Sequence, residues 1–387
     1  MKERLKILHA PTTVGGNPPG LSQAEKKHGY NSTILCMVQN YLDYPADEVV
    51  LPNGDFTVGN ELRRWRALFR SLLKYNVFHY NFGQSIAPIR SYPATKNYTP
   101  WKVFIYSGIY TRLSEFLDLK IAKLLGRVTA VTYQGDDARQ ADYCLSHYPI
   151  CPPRKVEPGY YTDRSDALKR KRIKTADKYA DLLYALNPDL MNVLPARTKF
   201  LPYASVDPAQ WPLIGIAEDL SVPHIIHAPS HRGFKGTPHI LAAFERLEQE
   251  GIPFRYTLVE NMPHAQAKEA YKSADILIDQ VLAGFYGALA VELMAMGKPV
   301  VCYLREEDMH HLPKGMREDM PIINAEPDTL YEVLKEWLTT RKNELAERGR
   351  QGRVFAEKWH DPHKIARQVL DDYEQVYARK HPRKAGS

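Results

Sequence analysis

The chain has 387 residues, 44% hydrophobic and 25% charged, the proportions of a globular protein long enough for two cores, and its formal net charge of +7 points to an anionic partner: a nucleotide, a nucleic acid or an anionic membrane face. Cys36, Cys144, Cys151 and Cys302 form no C-x-x-C pair and no metal-ligand spacing, which excludes a zinc module and suits a reducing cytoplasm. The first apolar run, Leu5 to Ala10, is too short for an export signal and no run reaches about 18 apolar residues, so the chain is expected neither to cross nor to span a membrane.

In chain order, LKILHAP predicts a buried strand, followed by a glycine loop, Val14 to Gly20, and a polar helix near Leu21 to Gly29. Gly15 and Gly16 let backbone approach a ligand closely, but without G-x-G-x-x-G spacing the loop reads equally as a tight turn. After the strand STILCMV, the segment Glu61 to Asn76 predicts a helix. Leu62, Trp65, Leu68, Phe69, Leu72 and Leu73 fall at helical spacing, with Arg63, Arg64, Arg66, Arg70 and Lys74 around the flanks. The pattern suits packing on a sheet ahead of a strand at Val77 to Gly83, and it also suits a helix lying on a membrane surface.

An amphipathic helix, Arg112 to Leu125, leads to a strand at Val128 to Tyr133 that ends in Gln134-Gly135-Asp136-Asp137-Ala138-Arg139. An amide, two carboxylates and a guanidinium thus stand at a strand's carboxyl end, where open α/β sheets hold ligands. Such a group can grip sugar hydroxyls; it can equally be an Asx turn with Arg139 paired to one aspartate. The basic run Lys169 to Arg172 reads as a solvated face, with no fold or aromatic platform for nucleic acid.

After the strand-like DLLYALNP, proline concentrates from Pro195 to Pro223, which reads as a hinge between lobes. A second α/β pattern follows: the strand HIIHAP, a glycine-punctuated loop from Ser230 to Gly236, and a helix at His239 to Gln249 with Thr237 as N-cap and Pro238 as first residue. Arg232 and Lys235 sit on that loop, so cations, backbone donors and a helix dipole converge as a diphosphate site requires. The strand FRYTLVE, a helix at Pro263 to Ser273 and the strand ADILIDQ precede GFYGALAVELMAMGKPV. There a turn at Gly284 to Gly287 enters a helix with Glu292 near its start, and Gly297 ends it. Strands alternating with helices imply parallel sheets.

The glycine loop, QGDDAR, HRGFKGT and YKSADILIDQ…GFYGALAVELMAMGKPVV together resemble the GT-B fold glycosyltransferases of family 4 over nearly the whole chain. The resemblance implies two Rossmann-like lobes with parallel sheets facing across a cleft: 1–203 for the acceptor, 204–360 for the nucleotide sugar, and a helix in 361–387 returning to the first lobe. It implies sugar transfer from a nucleotide-diphosphate donor to a glycan or lipid-linked acceptor, with retention of configuration, no catalytic metal and no cofactor beyond the donor. Glu292 would hold the ribose, Lys235 and Arg232 the diphosphate, Gly15, Gly16, Gly284, Phe285, Tyr286 and Gly287 would approach the donor, and Gln134 with Asp137 would position the sugar or acceptor.

The chain departs from the family pattern at Gly284, where a glutamate usually stands, at Gln134, usually histidine, and at Ser230, usually arginine. Asp279 and Gln280, or the turn backbone, would then read the sugar. A nucleotide-sugar or glycan-binding protein without turnover, and an epimerase on the same fold, are the alternative readings. A cytoplasmic location is expected, with room for peripheral contact with an anionic inner membrane face; nucleic acid is not an expected partner.

Overall fold

The structure, a computed structural model, describes residues 4–39, 43–51, 57–88, 104–217 and 220–382. Its first sheet contains β1 (Lys6–Ala10), β2 (Asn31–Cys36), β3 (Glu48–Val49), β4 (Val77–Asn81), β5 (Val128–Tyr133), β6 (Leu182–Ala185) and β7 (Lys199–Phe200), in the spatial order β3-β2-β1-β4-β5-β6-β7. Its second contains β8 (His224–His227), β9 (Arg255–Leu258), β10 (Ile276–Ile278), β11 (Val300–Cys302) and β12 (Ile323–Asn324), in the order β12-β11-β10-β8-β9. Every strand pairing is parallel. Parallel strands are covered on both faces, which is why they read as continuous apolar runs rather than alternating ones. Along β1, Ile7 faces one apolar cluster and Leu8 the other.

Helices connect the strands: α1 (Asn17–Lys27), α2 (Val58–Lys74), α3 (Leu117–Leu124), α4 (Ala141–His147) and α5 (Asp163–Tyr179) in the first half, and α6 (Thr237–Gln249), α7 (His264–Lys272), α8 (Ala288–Ala295) and α9 (Leu330–Leu338) in the second. The last two, α10 (Leu345–Trp359) and α11 (Pro362–Lys380), are separated by His360 and Asp361, whose carboxylate caps α11 through the His363 amide at 2.8 Å. α11 leaves the second sheet and packs on α1. There Tyr373 meets His79 of β4 (2.5 Å), and Asp372 accepts the Tyr184 hydroxyl of β6 (2.7 Å). One apolar cluster therefore runs through both halves, from Ile7 through Tyr286 to Val376, and each sheet has a further cluster on its other face.

Several elements differ from expectation: α1 starts at Asn17, inside the loop expected over Val14 to Gly20, and α2 starts at Val58 rather than Glu61. The helix expected over Arg112 to Leu125 is two pieces, Thr111–Ser114 and α3, because buried Phe116 takes φ +57° between them. Glu115, beside it, turns inward to pair with Arg172 at 2.9 Å. The basic run Lys169 to Arg172, expected as a solvated face, lies in α5, opened by a capping box between Thr162 and Ser165, and only Lys171 of the four is exposed: Lys169 donates to Arg139 O at 2.6 Å. α6 starts at Thr237, one residue ahead of Pro238, the expected first residue.

Candidate active-site cleft

β8 ends at His227, and the chain then turns through a one-turn helix, Arg232–Lys235, where an open loop was expected. His231 Nδ1 caps it by accepting the Phe234 amide at 3.1 Å. Gly236 follows at φ +81°, a conformation glycine adopts without steric cost, and it, not Thr237, is the N-cap of α6. The Thr237 hydroxyl instead meets His227 Nε2 at 2.8 Å. Burial, with the Lys235 charge adding to it, pushes the His227 imidazole down to about 4.

This turn brings Lys235 inward. Its Nζ lies 2.5 Å from Asp279 Oδ1, just past β10, while Asp279 Oδ2 accepts the Gly287 amide at 2.7 Å. Gly287 is the N-cap of α8, so the anion now standing at that positive helix end is the buried carboxylate of Asp279. Arg232 does not join this group. It is half exposed and held in a bidentate pair by Glu260 (2.9 and 2.6 Å), which also keeps its guanidinium above the usual arginine range.

Glu292 is the fifth of eight residues in α8 rather than near its start, and its carboxylate lies 2.7 Å from His264 Nε2 at the beginning of α7. His264 and Glu292, with Ser230 and Glu260, line an open pocket. Its far wall is Tyr44, from the first half of the chain, whose ring is 4.9 Å from that of His264. Tyr44 also covers Gly16 so closely that a Cβ there would come within 2.8 Å of the ring. Gly15 and Gly16 take φ +67° and +68°, and a Cβ on Gly15 would stand 3.5 Å from Gln134 Oε1. The glycine loop, Gln134 and the Glu292 pocket are therefore neighbours across the cleft.

Gln134 Nε2 is buried and has no hydrogen-bond partner among the described residues. Beside it, Asp137 Oδ1 accepts the amides of Gln134 (3.0 Å) and Gly135 (2.7 Å). Burial raises the Asp137 carboxyl from 3.8 to about 6 even though those amides favour the charged form. Its oxygens face the turn's own backbone, as the Asx reading requires. Asp136 accepts Arg139 (2.9 Å), Tyr160 (2.7 Å) and Tyr161 (2.6 Å), and Arg139 also pairs with buried Asp189 at 2.7 Å.

In the turn before α8, Gly284 has φ +81°, and a Cβ there would fall 2.6 Å from Arg305 Nη1. The space beside Gly284 is thus filled by an arginine side chain from beyond β11, paired with Asp308 at 2.9 Å and stacked over Tyr148 at 3.7 Å. Phe285 and Tyr286 are buried in the core, so any contact they make with a ligand is through backbone. Tyr286 donates to His360 Nε2 (2.9 Å) and His360 Nδ1 donates to Tyr203 O (3.0 Å), which ties the turn to the crossover before α11. Gln280 donates to Phe285 O. Among the described residues no three His, Cys, Asp or Glu side chains form a metal-binding group, and no helix is long and apolar enough to cross a membrane.

Sequence reasoning missed Tyr44, His264, Arg305 and Asp308. His264 follows Pro263 at a helix start, a weak local signal; Tyr44, Arg305 and Asp308 become meaningful only through tertiary contacts.

No protein-family model and no curated sequence matches the chain. Solved structures similar in fold include a sucrose-phosphate synthase from Thermosynechococcus elongatus (12% identity, TM-score 0.57, 97% of this chain and 100% of that one). Anabaena HepE in complex with UDP-glucose aligns at 12% identity and TM-score 0.56, over 96% of this chain and 100% of that one. The catalytic domain of starch synthase IV from Arabidopsis thaliana, bound to ADP and acarbose, aligns at 11% identity and TM-score 0.58, over 97% and 100%. These neighbours are glycosyltransferases of the GT-B architecture, and two parallel-sheet Rossmann-like lobes facing across a cleft are that fold.

Proposed function

We propose that the protein is a retaining glycosyltransferase that moves a sugar from a nucleotide-diphosphate donor to a glycan or lipid-linked acceptor without a catalytic metal. The observation carrying this reading is the convergence of Lys235 with the N-terminus of α8 beside a pocket that Tyr44 closes from the first lobe. The pocket holds the nucleoside. Glu292 accepts the ribose hydroxyls after exchanging its bond with His264, and the diphosphate replaces Asp279 as partner of Lys235 and the Gly287 amide. As the bond from the anomeric carbon to phosphate breaks, the acceptor oxygen bonds to that carbon and passes its proton to the leaving phosphate oxygen, whose growing charge Lys235 and the helix end stabilise. Gln134 cannot transfer a proton; its unpartnered Nε2 donates to a sugar hydroxyl instead. Arg232 acts at the pocket rim through Glu260 rather than on the phosphates.

The test is a thermal-shift screen with uridine, guanosine and adenosine diphosphate sugars, each variant measured against its own ligand-free state. A donor should stabilise the parent and fail to stabilise Glu292→Ala or Lys235→Ala, and nucleoside diphosphate should be released when an acceptor extract is added. Stabilisation equal in parent and variants would reject the site. A second reading, nucleotide-sugar binding without turnover, is favoured by Arg305 occupying the space over Gly284; tight donor binding with no release across a broad acceptor panel would select it.

A further inference from the structure

α2 buries Ala67, Leu68, Ser71 and Leu72 on the first lobe, yet its outer surface is not uniformly polar. Val58, Leu62, Phe69 and Leu73 are 79%, 66%, 53% and 83% exposed. At about 100° per residue these four fall in one sector of roughly 60°, and Arg66, Arg70, Arg63 and Lys74 fill the next ~80°. Arg70 is held by Glu48, while Arg63 and Arg66 form no ion pair among the described residues. On the opposite flank, Glu61 accepts the hydroxyls of Tyr106 (3.0 Å) and Tyr110 (2.6 Å), and Trp65 donates to Tyr110 at 2.6 Å. These bonds fasten the segment Phe104–Tyr110 alongside α2 and add Ile105, Ile109 and, just beyond, Leu113 (75% exposed) to the apolar band.

We propose that this face docks on an anionic lipid bilayer, with α2 lying in the interfacial plane. The inference stands independently of glycosyl transfer. An apolar band bordered by a cationic band has the depth order of acyl boundary and phosphate headgroup, and a monomeric soluble surface rarely exposes so many contiguous large apolar side chains. A second copy fits less well, since a two-fold contact centred on this face sets two arginine bands together, and the Glu48 beside them already pairs with Arg70.

Cosedimentation with phosphatidylcholine vesicles, with and without phosphatidylglycerol, tests the proposal. The parent should bind the anionic vesicles and be released by salt. Arg63→Glu with Arg66→Glu should weaken binding about tenfold or more, and Leu62→Ser with Phe69→Ser and Leu73→Ser should weaken it similarly. Both variants should keep the parent's melting temperature, because every altered side chain is exposed. Failure to bind anionic vesicles, or binding that either variant leaves unchanged, overturns the proposal. A dimer in light scattering that the apolar variant dissolves, without vesicle binding by the parent, assigns the face to a second copy instead.

Discussion

Lys235 and Asp279 pair inside the protein, so each stabilises the fold only while the other is charged and present. Removing one partner of a buried pair leaves an uncompensated charge and typically costs about 3–5 kcal/mol. Lys235→Ala should therefore lower the unfolding free energy by that order in denaturant titrations. Adding Asp279→Asn should recover most of the loss, because the amide oxygen still accepts from Gly287, yet nucleotide binding should stay lost in the double variant. Recovery of both would mean that Lys235 acts only as a structural partner. Asp137 gives a pH signature. Its folded-state pKa of about 6 stands above the reference of 3.8, so the folded state holds the proton more tightly and its contribution to stability declines as pH rises from about 4 to 6, then levels. At about 1.4 kcal/mol per unit the decline is at most about 3 kcal/mol. Asp137→Asn keeps the oxygen that accepts both amides, so the difference in unfolding free energy between variant and parent should grow across that window and be flat above it.

In the turn from Gly284 to Gly287, at the scale of an element, the first glycine is required by the backbone and the second leaves the approach to Lys235 open. Gly284→Ala forces a side chain into φ +81° and into Arg305, which Asp308 and Ile150 O hold in place; a loss of about 2–3 kcal/mol is expected from chemical denaturation. Gly287 has φ −104°, and its Cβ would make ordinary contacts, 3.5 Å to Asp279 and 3.8 Å to Lys235. Gly287→Ala should change stability by less than about 0.5 kcal/mol while occupying the approach to Lys235, so donor affinity in calorimetry should fall sharply. Unchanged affinity would place the diphosphate elsewhere. The sequence made this turn legible because glycine, helix and following strand are local signals. It also marked Lys235 and Glu292 by residue type and position. It could not show that Asp279 pairs with Lys235 and accepts the Gly287 amide, or that Arg305 fills the space over Gly284, because those contacts are fixed by strand order and not by spacing. Element boundaries failed where a tertiary contact outweighed local preference, as at Phe116 and Thr237.

At the scale of the whole molecule, the proposed donor pocket is complete only while Tyr44, packed on Gly16, stays against His264 of the second lobe. A second set of polar contacts joins the two halves of the chain. Asp308, after β11, accepts the Tyr148 hydroxyl (3.1 Å) and the Asn192 amide (2.8 Å), Asn192 Oδ1 meets His311 (3.0 Å), and Arg305 reaches back to Ile150 O at 2.8 Å. The Arg305–Asp308 pair lies within one lobe, so the bonds from Tyr148 and Asn192 can be removed without leaving either charge alone. Tyr148→Phe with Asn192→Ala should leave each lobe folded, with a melting temperature only slightly reduced. The lobes should then open, raising the radius of gyration in solution scattering and weakening donor binding, because Tyr44 no longer closes the nucleoside pocket. Saturating donor should draw the radius back toward the parent's value, since a ligand gripping both lobes favours the closed state by its differential affinity. An unchanged radius with unchanged affinity would show that α11 and the shared apolar cluster alone set the lobe angle.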